Sequence, residues 1–242
     1  MVDIHSHILP EVDDGARSWE MAVHMCHMAA QDGIEHMVAT PHANGEYSYD
    51  RDWLRGVLDE LRQRTGGKPK LSLGCDFHLS YENLESLSRD LHRYTIEDTP
   101  YLLVEFSDFS IPPSIGDELE DLLHRGLVPI ITHPERNPLL QHTPERVLHW
   151  AKMGCAVQVT ASAITGGWGE KPKKVAQWLF EREAVHILAT DAHSVEGRPP
   201  ILSAARDAIK RSYGAAIAQA LTDGNPRAVV AGQPLPYFPR ER

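Results

Sequence analysis

An α/β fold of alternating strands and helices is what the sequence predicts, on three observations. Apolar, β-rich runs recur about seven times, amphipathic segments of helical period separate them, and histidines and carboxylates collect at the ends of the runs. The runs are 2–5, 34–40, 70–76, 101–106, 127–132, 156–160 and 186–190. Each is nearly continuous in hydrophobics, as parallel strands covered on both faces must be. Helices are predicted over 18–32, 50–64, 80–93, 114–125, 143–153, 172–183 and 199–212. Ser18 stands where an N-cap belongs, and Gly33 after Asp32 stops that helix. Thr143-Pro144 reads as a cap followed by proline at the first helical position, and Gly126 and Gly154 close their helices. The tail over 225–242, with Pro234, Pro236 and Pro239, predicts a short helix and then an extended segment. This alternation fits an open doubly wound sheet or a closed barrel.

At 242 residues, 42% of them apolar, the chain is long enough for one good core, and a single domain over 1–242 is expected. The net charge of -10 and the lack of a long Lys/Arg run exclude a nucleic-acid binder that depends on phosphate contacts. Cys26, Cys75 and Cys155 are too few and too scattered for a disulfide framework or a zinc ribbon, which fits a reduced, cytoplasmic setting. The opening MVDIHSHILPEVDDG holds no apolar run fit for a signal segment or a membrane span.

The chemistry lies in where the ligand-type side chains fall. His5 and His7 end the first run, His42 the second, Asp76 the third, Glu105 the fourth, His133 the fifth, and Asp191 with His193 the seventh, while Asp14 lies in the loop after the first. In a barrel the C-terminal strand ends share one mouth, so these nine side chains would converge there. Residues two apart in an extended segment face the same way, so His5 and His7 serve one cation, as do Asp191 and His193. Acids placed directly after hydrophobic strands are costly to bury without a counter-charge. An imidazole and carboxylate set without cysteine suits Mn, Fe or Zn, and nine ligands suit two or three ions better than one.

The remaining histidines read otherwise. His24 and His27 belong to an ordinary helix beside Met21, Met25 and Met28, and His78 is a weaker pocket candidate. There is no cysteine-phosphatase loop, nucleophile elbow, Walker loop or dinucleotide fingerprint, and Cys75 reads as strand packing.

The segments VDIHSHILPEVDDG, VATPHANGEY, GCDFHLS, LLVEFS, ITHPERN, SAITGGWG and TDAHSVEGRPP together resemble the polymerase and histidinol phosphatase superfamily. They look most like its branch of bacterial metal-dependent protein-tyrosine phosphatases associated with capsular and exopolysaccharide synthesis, over roughly residues 1–234. The resemblance implies a distorted (β/α)7, TIM-like barrel with its metal site at the C-terminal mouth of the strands. It implies three divalent ions, often manganese: His5, His7, Asp76 and Asp191 on one, Asp76, Glu105 and His133 on a second, Asp14, His42 and His193 on the third. Arg136 and Arg198 would bind the phosphoryl group. Relatives commonly carry glutamate where Asp76 stands, glycine where Glu11 stands and asparagine where Ser194 stands.

The expected function is hydrolysis of phosphotyrosine on a protein, with the tail of a capsule-associated tyrosine kinase as partner. The alternatives are a small-molecule phosphatase acting on a compound such as histidinol phosphate, and a catalytically inactive metal-binding barrel. Three divalent ions and two arginines against four carboxylates would give a pocket near +4, a local anion trap for a phosphomonoester dianion, in a chain of net charge -10. Tyr47 and Tyr49, after His42, and Trp168, in the loop after the sixth run, are expected to wall that pocket.

Overall fold

The computed structural model describes residues 1–239, so the last three residues of the expected domain and tail lie outside the described residues. Nine strands form among the described residues: β1 (Val2–Ser6), β2 (His36–Ala39), β3 (His42–Ala43), β4 (Lys70–Leu73), β5 (Asp76–His78), β6 (Tyr101–Glu105), β7 (Val128–Thr132), β8 (Ala156–Thr160) and β9 (Ile187–Ala189). All pair in parallel, in a three-stranded sheet β1-β2-β4 and a six-stranded sheet β3-β5-β6-β7-β8-β9.

The second and third predicted runs are each succeeded by a further short strand, β3 and β5, which is why strands outnumber runs. Between β2 and β3 the chain passes Thr40-Pro41, and proline has no N–H to give a ladder. Between β4 and β5 it passes Gly74, where a Cβ would lie 2.9 Å from Ile96 and 3.1 Å from Val38. Both segments therefore change sheets, and the step sets His42 directly opposite Asp76 in the β3–β5 register.

The outer strands β1 and β9 approach through one parallel bridge, Ser6 to Ala192. His7 N–H donates to Ala192 O at 2.8 Å and Asp191 N–H to His5 O at 2.9 Å. No continuous ladder joins β9 to β1 among the described residues, so the observed architecture is an α/β fold of two parallel sheets, coarser than a sealed barrel. Ile4, Val38, Leu103, Ile130, Ala156 and Ile187, from six strands, are fully buried in one cluster between the sheets. Each such side chain removed from water contributes roughly 1.5–3 kcal/mol, less for alanine.

Helices cover the outside: α1 (Trp19–Gln31), α2 (Arg51–Arg64), α3 (Tyr81–Arg89), α4 (Ile115–His124), α5 (Glu145–Met153), α6 (Ala161–Ile164), α7 (Glu170–Glu181), α8 (Ser203–Tyr213), α9 (Ala215–Gln219) and, after a π turn, α10 (Asn225–Val230). Ser18 caps α1 as expected, accepting from Met21 N–H at 3.3 Å. Thr143 does not cap α5: its hydroxyl donates back to Leu139 O, and Pro144 holds the N-cap position. α8 starts later than predicted, at Ser203, because Asp32 reaches across to cap it, accepting from Leu202 N–H at 2.7 Å and Ser203 N–H at 2.8 Å. α6 was not expected, since β8 turns directly into it. No described helix is long and apolar enough to cross a membrane.

Candidate metal centre

The structure gathers all nine ligand-type residues at the C-terminal ends of the strands. His7, Asp14, His42 and His193 form one group, His5, His7 and Asp76 another, His5, His133 and Asp191 a third, and His42, Asp76 and Glu105 a fourth, the donor atoms of each lying within 4.8 Å of one another. The groups share His5, His7, His42 and Asp76, so this is one cluster. The expected set Asp14, His42 and His193 lies together with His7 added. His133 groups with His5 and Asp191, while its Nε2 is 3.7 Å from Glu105 and 3.9 Å from Asp76. Asp76, the shorter acid, still sets Oδ2 3.4 Å from His42 Nδ1 and 3.5 Å from His5 Nε2. His133 (φ 33) and Asp191 (φ 51) take left-handed backbone as they leave their strands, a conformation non-glycine residues adopt at a cost of about 1–2 kcal/mol.

The donor chemistry fits divalent cations. His5 Nδ1 faces Gln158 Oε1 at 2.9 Å and His7 Nδ1 faces Asp13 Oδ2 at 2.7 Å, both acceptors, so each imidazole carries its proton on Nδ1. That turns two Nε2 lone pairs toward each other, 3.3 Å apart, with Asp191 Oδ1 at 3.4 Å from both. Asp76 Oδ2 and His42 Nδ1 are buried without a hydrogen-bond partner among the described residues. Acceptors crowded this way need a cation among them.

The electrostatics agree. Burial pushes the Asp76 carboxyl up, but the imidazoles of His5, His133 and His42 crowded around it outweigh that and hold the group well below the carboxylate range. Asp191 is also held well below that range: burial opposes ionisation, and His5, Arg136 and Arg198 overcome it. Hydrogen bonds with His193 and His42 hold Asp14 low. The cluster is therefore built around ionised acids.

Four polar residues in or around the cluster were missed by the sequence reading. Asp13, besides holding His7, accepts from His42 N–H at 3.2 Å and Gly15 N–H at 3.0 Å. Gln158, in the middle of β8, holds His5. Glu135, fully buried, accepts from Thr160 N–H at 2.9 Å. Asp3 accepts from Thr190 N–H at 3.0 Å and from the Thr190 hydroxyl, and burial pushes its carboxyl up to about 6. The adjacent acids in VDDG were one available signal, because an acid next to a ligand at a loop start is a common histidine partner.

Arg136 and Arg198 both reach Asp191 Oδ2, Arg198 at 2.5 Å. Their guanidinium carbons stand 4.0 and 5.4 Å from the centre of the Trp168 ring, so Trp168 seats both arginines while also lining the cavity beside them. Trp168 is itself fixed, its indole N–H donating to Ser162 Oγ at 2.9 Å. Tyr47 stacks on His42 at 6.0 Å. Tyr49 is no wall of this pocket: it is buried against Tyr94 and donates its hydroxyl to Gly74 O. His78 lines the cavity, with Nδ1 3.7 Å from Glu105.

The structure also explains two departures from the resemblance. Glu11 has φ 58, so it occupies a left-handed position suited to the glycine of relatives. Ser194 Oγ accepts from Gly197 N–H at 3.1 Å and Arg198 N–H at 3.0 Å, a role an asparagine oxygen can also fill.

The family model for capsular polysaccharide synthesis, CpsB/CapC, matches residues 1–231. The chain is 31% identical over 244 residues to the tyrosine-protein phosphatase CpsB of Streptococcus pneumoniae, covering 96% of this chain and 99% of that protein. It is 31% identical over 228 residues to the tyrosine-protein phosphatase YwqE of Bacillus subtilis, covering 92% of this chain and 89% of that protein. A crystal structure from work on YwqE and CpsB, described as unique metal-dependent tyrosine phosphatases, superposes with a TM-score of 0.90 at 30% identity over 100% of both chains.

Proposed function

The chain belongs to the capsular polysaccharide synthesis CpsB/CapC family, and on that premise we propose that it is a metal-dependent tyrosine phosphatase acting on phosphotyrosine of a protein. The observation that carries the reading is the convergence of nine ligand-type side chains from across the sequence on one buried cluster, with two arginines against its edge. Three divalent ions, manganese first among them, would be held as the resemblance assigns: His5, His7, Asp76 and Asp191; Asp76, Glu105 and His133; Asp14, His42 and His193. Bound there, such ions lower the pKa of water toward ~7 and offset the charge on phosphoryl oxygens. The seven strand runs are read as a distorted barrel and 1–242 as one domain, in the cytoplasm. The tail of a capsule-associated tyrosine kinase is the proposed substrate.

The chain's own groups do the rest. Arg136 and Arg198 offer planar, charge-assisted donors to the non-bridging oxygens, with Trp168 fixing their planes. Asp13 and Gln158 hold the protons of His7 and His5 away from the cluster. Phenolate, pKa about 10, leaves with little acid assistance, unlike the alkoxide of serine.

The test is turnover with added manganese on a phosphotyrosine peptide, a phosphoserine peptide and histidinol phosphate, before and after chelation. The phosphotyrosine peptide should be strongly preferred and chelation should abolish its hydrolysis. Preference for either other substrate, or full activity in protein shown by elemental analysis to be free of transition metal, overturns the reading.

A further inference from the structure

Beside the cluster a cavity of about 470 Å³ opens, walled by His133 and Arg136 at one side and by Phe106, Phe109 and Trp168 elsewhere. Its composition is that of an aryl phosphate in negative: a guanidinium for an anionic head, and aromatic rings for an apolar body. Phe109 is 95% exposed, more than any other large apolar side chain described. Burying such a ring is favourable, and its place on the lip of this cavity sets it where an aryl group bound there would cover it.

The loop carrying it is tied down. Asn137, buried and one residue past Arg136, directs its amide nitrogen at Ser107 O (3.1 Å), Asp108 Oδ1 (3.2 Å) and Phe106 O (3.4 Å). Its oxygen accepts from Leu139 N–H at 3.0 Å and Leu140 N–H at 3.1 Å. Phe109 N–H donates to Ser107 Oγ at 3.1 Å. One side chain thus joins the loop bearing Phe109 to the loop bearing Arg136, holding phosphate and ring subsites at a set separation.

We infer that Phe109 is a specificity-determining residue that packs on the phenol ring of the substrate phosphotyrosine while its phosphoryl group sits at Arg136. The inference rests on the phosphatase reading above and goes beyond it by naming the residue that selects the aryl group. The ring gains a partner only when an aromatic ester is bound, so Phe109 contributes to binding the substrate and leaves the chemistry at phosphorus untouched.

The experiment compares the manganese-loaded wild type with Phe109→Ala and Phe109→Trp on a phosphotyrosine peptide and on acetyl phosphate, which has no ring. Phe109→Ala should raise KM for the peptide by roughly five- to thirtyfold with kcat nearly unchanged, and Phe109→Trp should restore it. Acetyl phosphate kcat/KM should stay within about twofold in all three proteins. Equal losses on both substrates, or unchanged peptide kinetics, overturn the inference. So does unchanged kinetics with a self-association that Phe109→Ala abolishes, which would make the ring a contact between copies. A wild type that leaves the peptide untouched overturns the phosphatase reading as well, whereas a wild type that hydrolyses it beside an unaltered Phe109→Ala overturns this inference alone.

Discussion

His7 Nδ1 lies 2.7 Å from Asp13 Oδ2, and the same carboxylate accepts from the backbone N–H of His42, so one acid outside the ligand set aims two of its members. Asp13→Asn keeps the shape and removes the charge that makes His7 a strong donor. Metal affinity, read by titrating the metal-free protein, should fall about 10- to 100-fold with the fold intact by circular dichroism.

Gly15 makes the neighbouring step possible. A Cβ there would stand 2.1 Å from His7 O and 2.6 Å from His7 Cβ, an overlap with backbone that no rotamer relieves. Gly15→Ala should displace the loop carrying Asp13 and Asp14, with elemental analysis showing less than the wild-type metal content and melting showing a loss of several degrees.

Most strand and helix positions and the nine ligand-type residues were legible because each leaves a local trace: a hydrophobic run, an amphipathic period, or a polar residue just past a strand. The step at Thr40-Pro41 and Gly74 was not legible as a change of sheet. Proline and glycine announce a break, but only the tertiary packing that leaves no room for a Cβ at Gly74 between Ile96 and Val38 shows which way the chain must go. Gln158 was hidden for the opposite reason, being a polar residue inside an apolar strand whose use appears only when His5, 153 residues away in sequence, packs beside it. Glu11 shows the same limit, since its left-handed backbone cannot be read from a glutamate codon.

Arg136 and Arg198 converge on Asp191 Oδ2 and share the face of Trp168, so they should act on one phosphoryl group. Replacing either by alanine should leave metal content unchanged and lower kcat/KM on the order of 10²-fold or more, because a charge-assisted donor that strengthens in the transition state contributes a few kcal/mol. Lysine should rescue only in part, having no planar fork. Unchanged kinetics in Arg198→Ala would remove that residue from the site.

His186 sets an acid limit away from the cluster. It is 1% exposed, its Nδ1 accepts from Val157 N–H at 3.0 Å, and burial pushes its pKa down to about 4. The unfolded chain, with histidine near 6.5, takes up the proton first as pH falls, so this contribution is whole above about 6.5 and is lost as pH drops toward 4. The loss reaches at most about 3 kcal/mol at 1.36 kcal/mol per unit. Urea unfolding from pH 7.5 to 4.5 should show a flatter decline in His186→Asn, whose side-chain oxygen can replace the Nδ1 acceptor. Metal release on acidification is common to both proteins, so their difference isolates the imidazole; parallel declines would refute the assignment.

Ser194 should act through Arg198. Its hydroxyl oxygen accepts from the N–H groups of Gly197 and Arg198, while Arg198 O accepts from His193 N–H at 2.9 Å and Ser194 N–H at 3.2 Å, closing the loop that aims the guanidinium at Asp191. Ser194→Ala removes both acceptor contacts and leaves two N–H groups to find water, which loosens the loop without touching a ligand side chain. A decrease in kcat/KM of about 3- to 10-fold is expected, the scale of one or two neutral hydrogen bonds, and Ser194→Asn should recover most of it. The positioning role is separated from a general loss of structure by a double-mutant cycle. If Ser194 works only by placing Arg198, then Ser194→Ala combined with Arg198→Ala should be no slower than Arg198→Ala alone. Additive losses would mean that Ser194 supports the neighbouring His193 instead, and metal content falling in the single variant would point the same way.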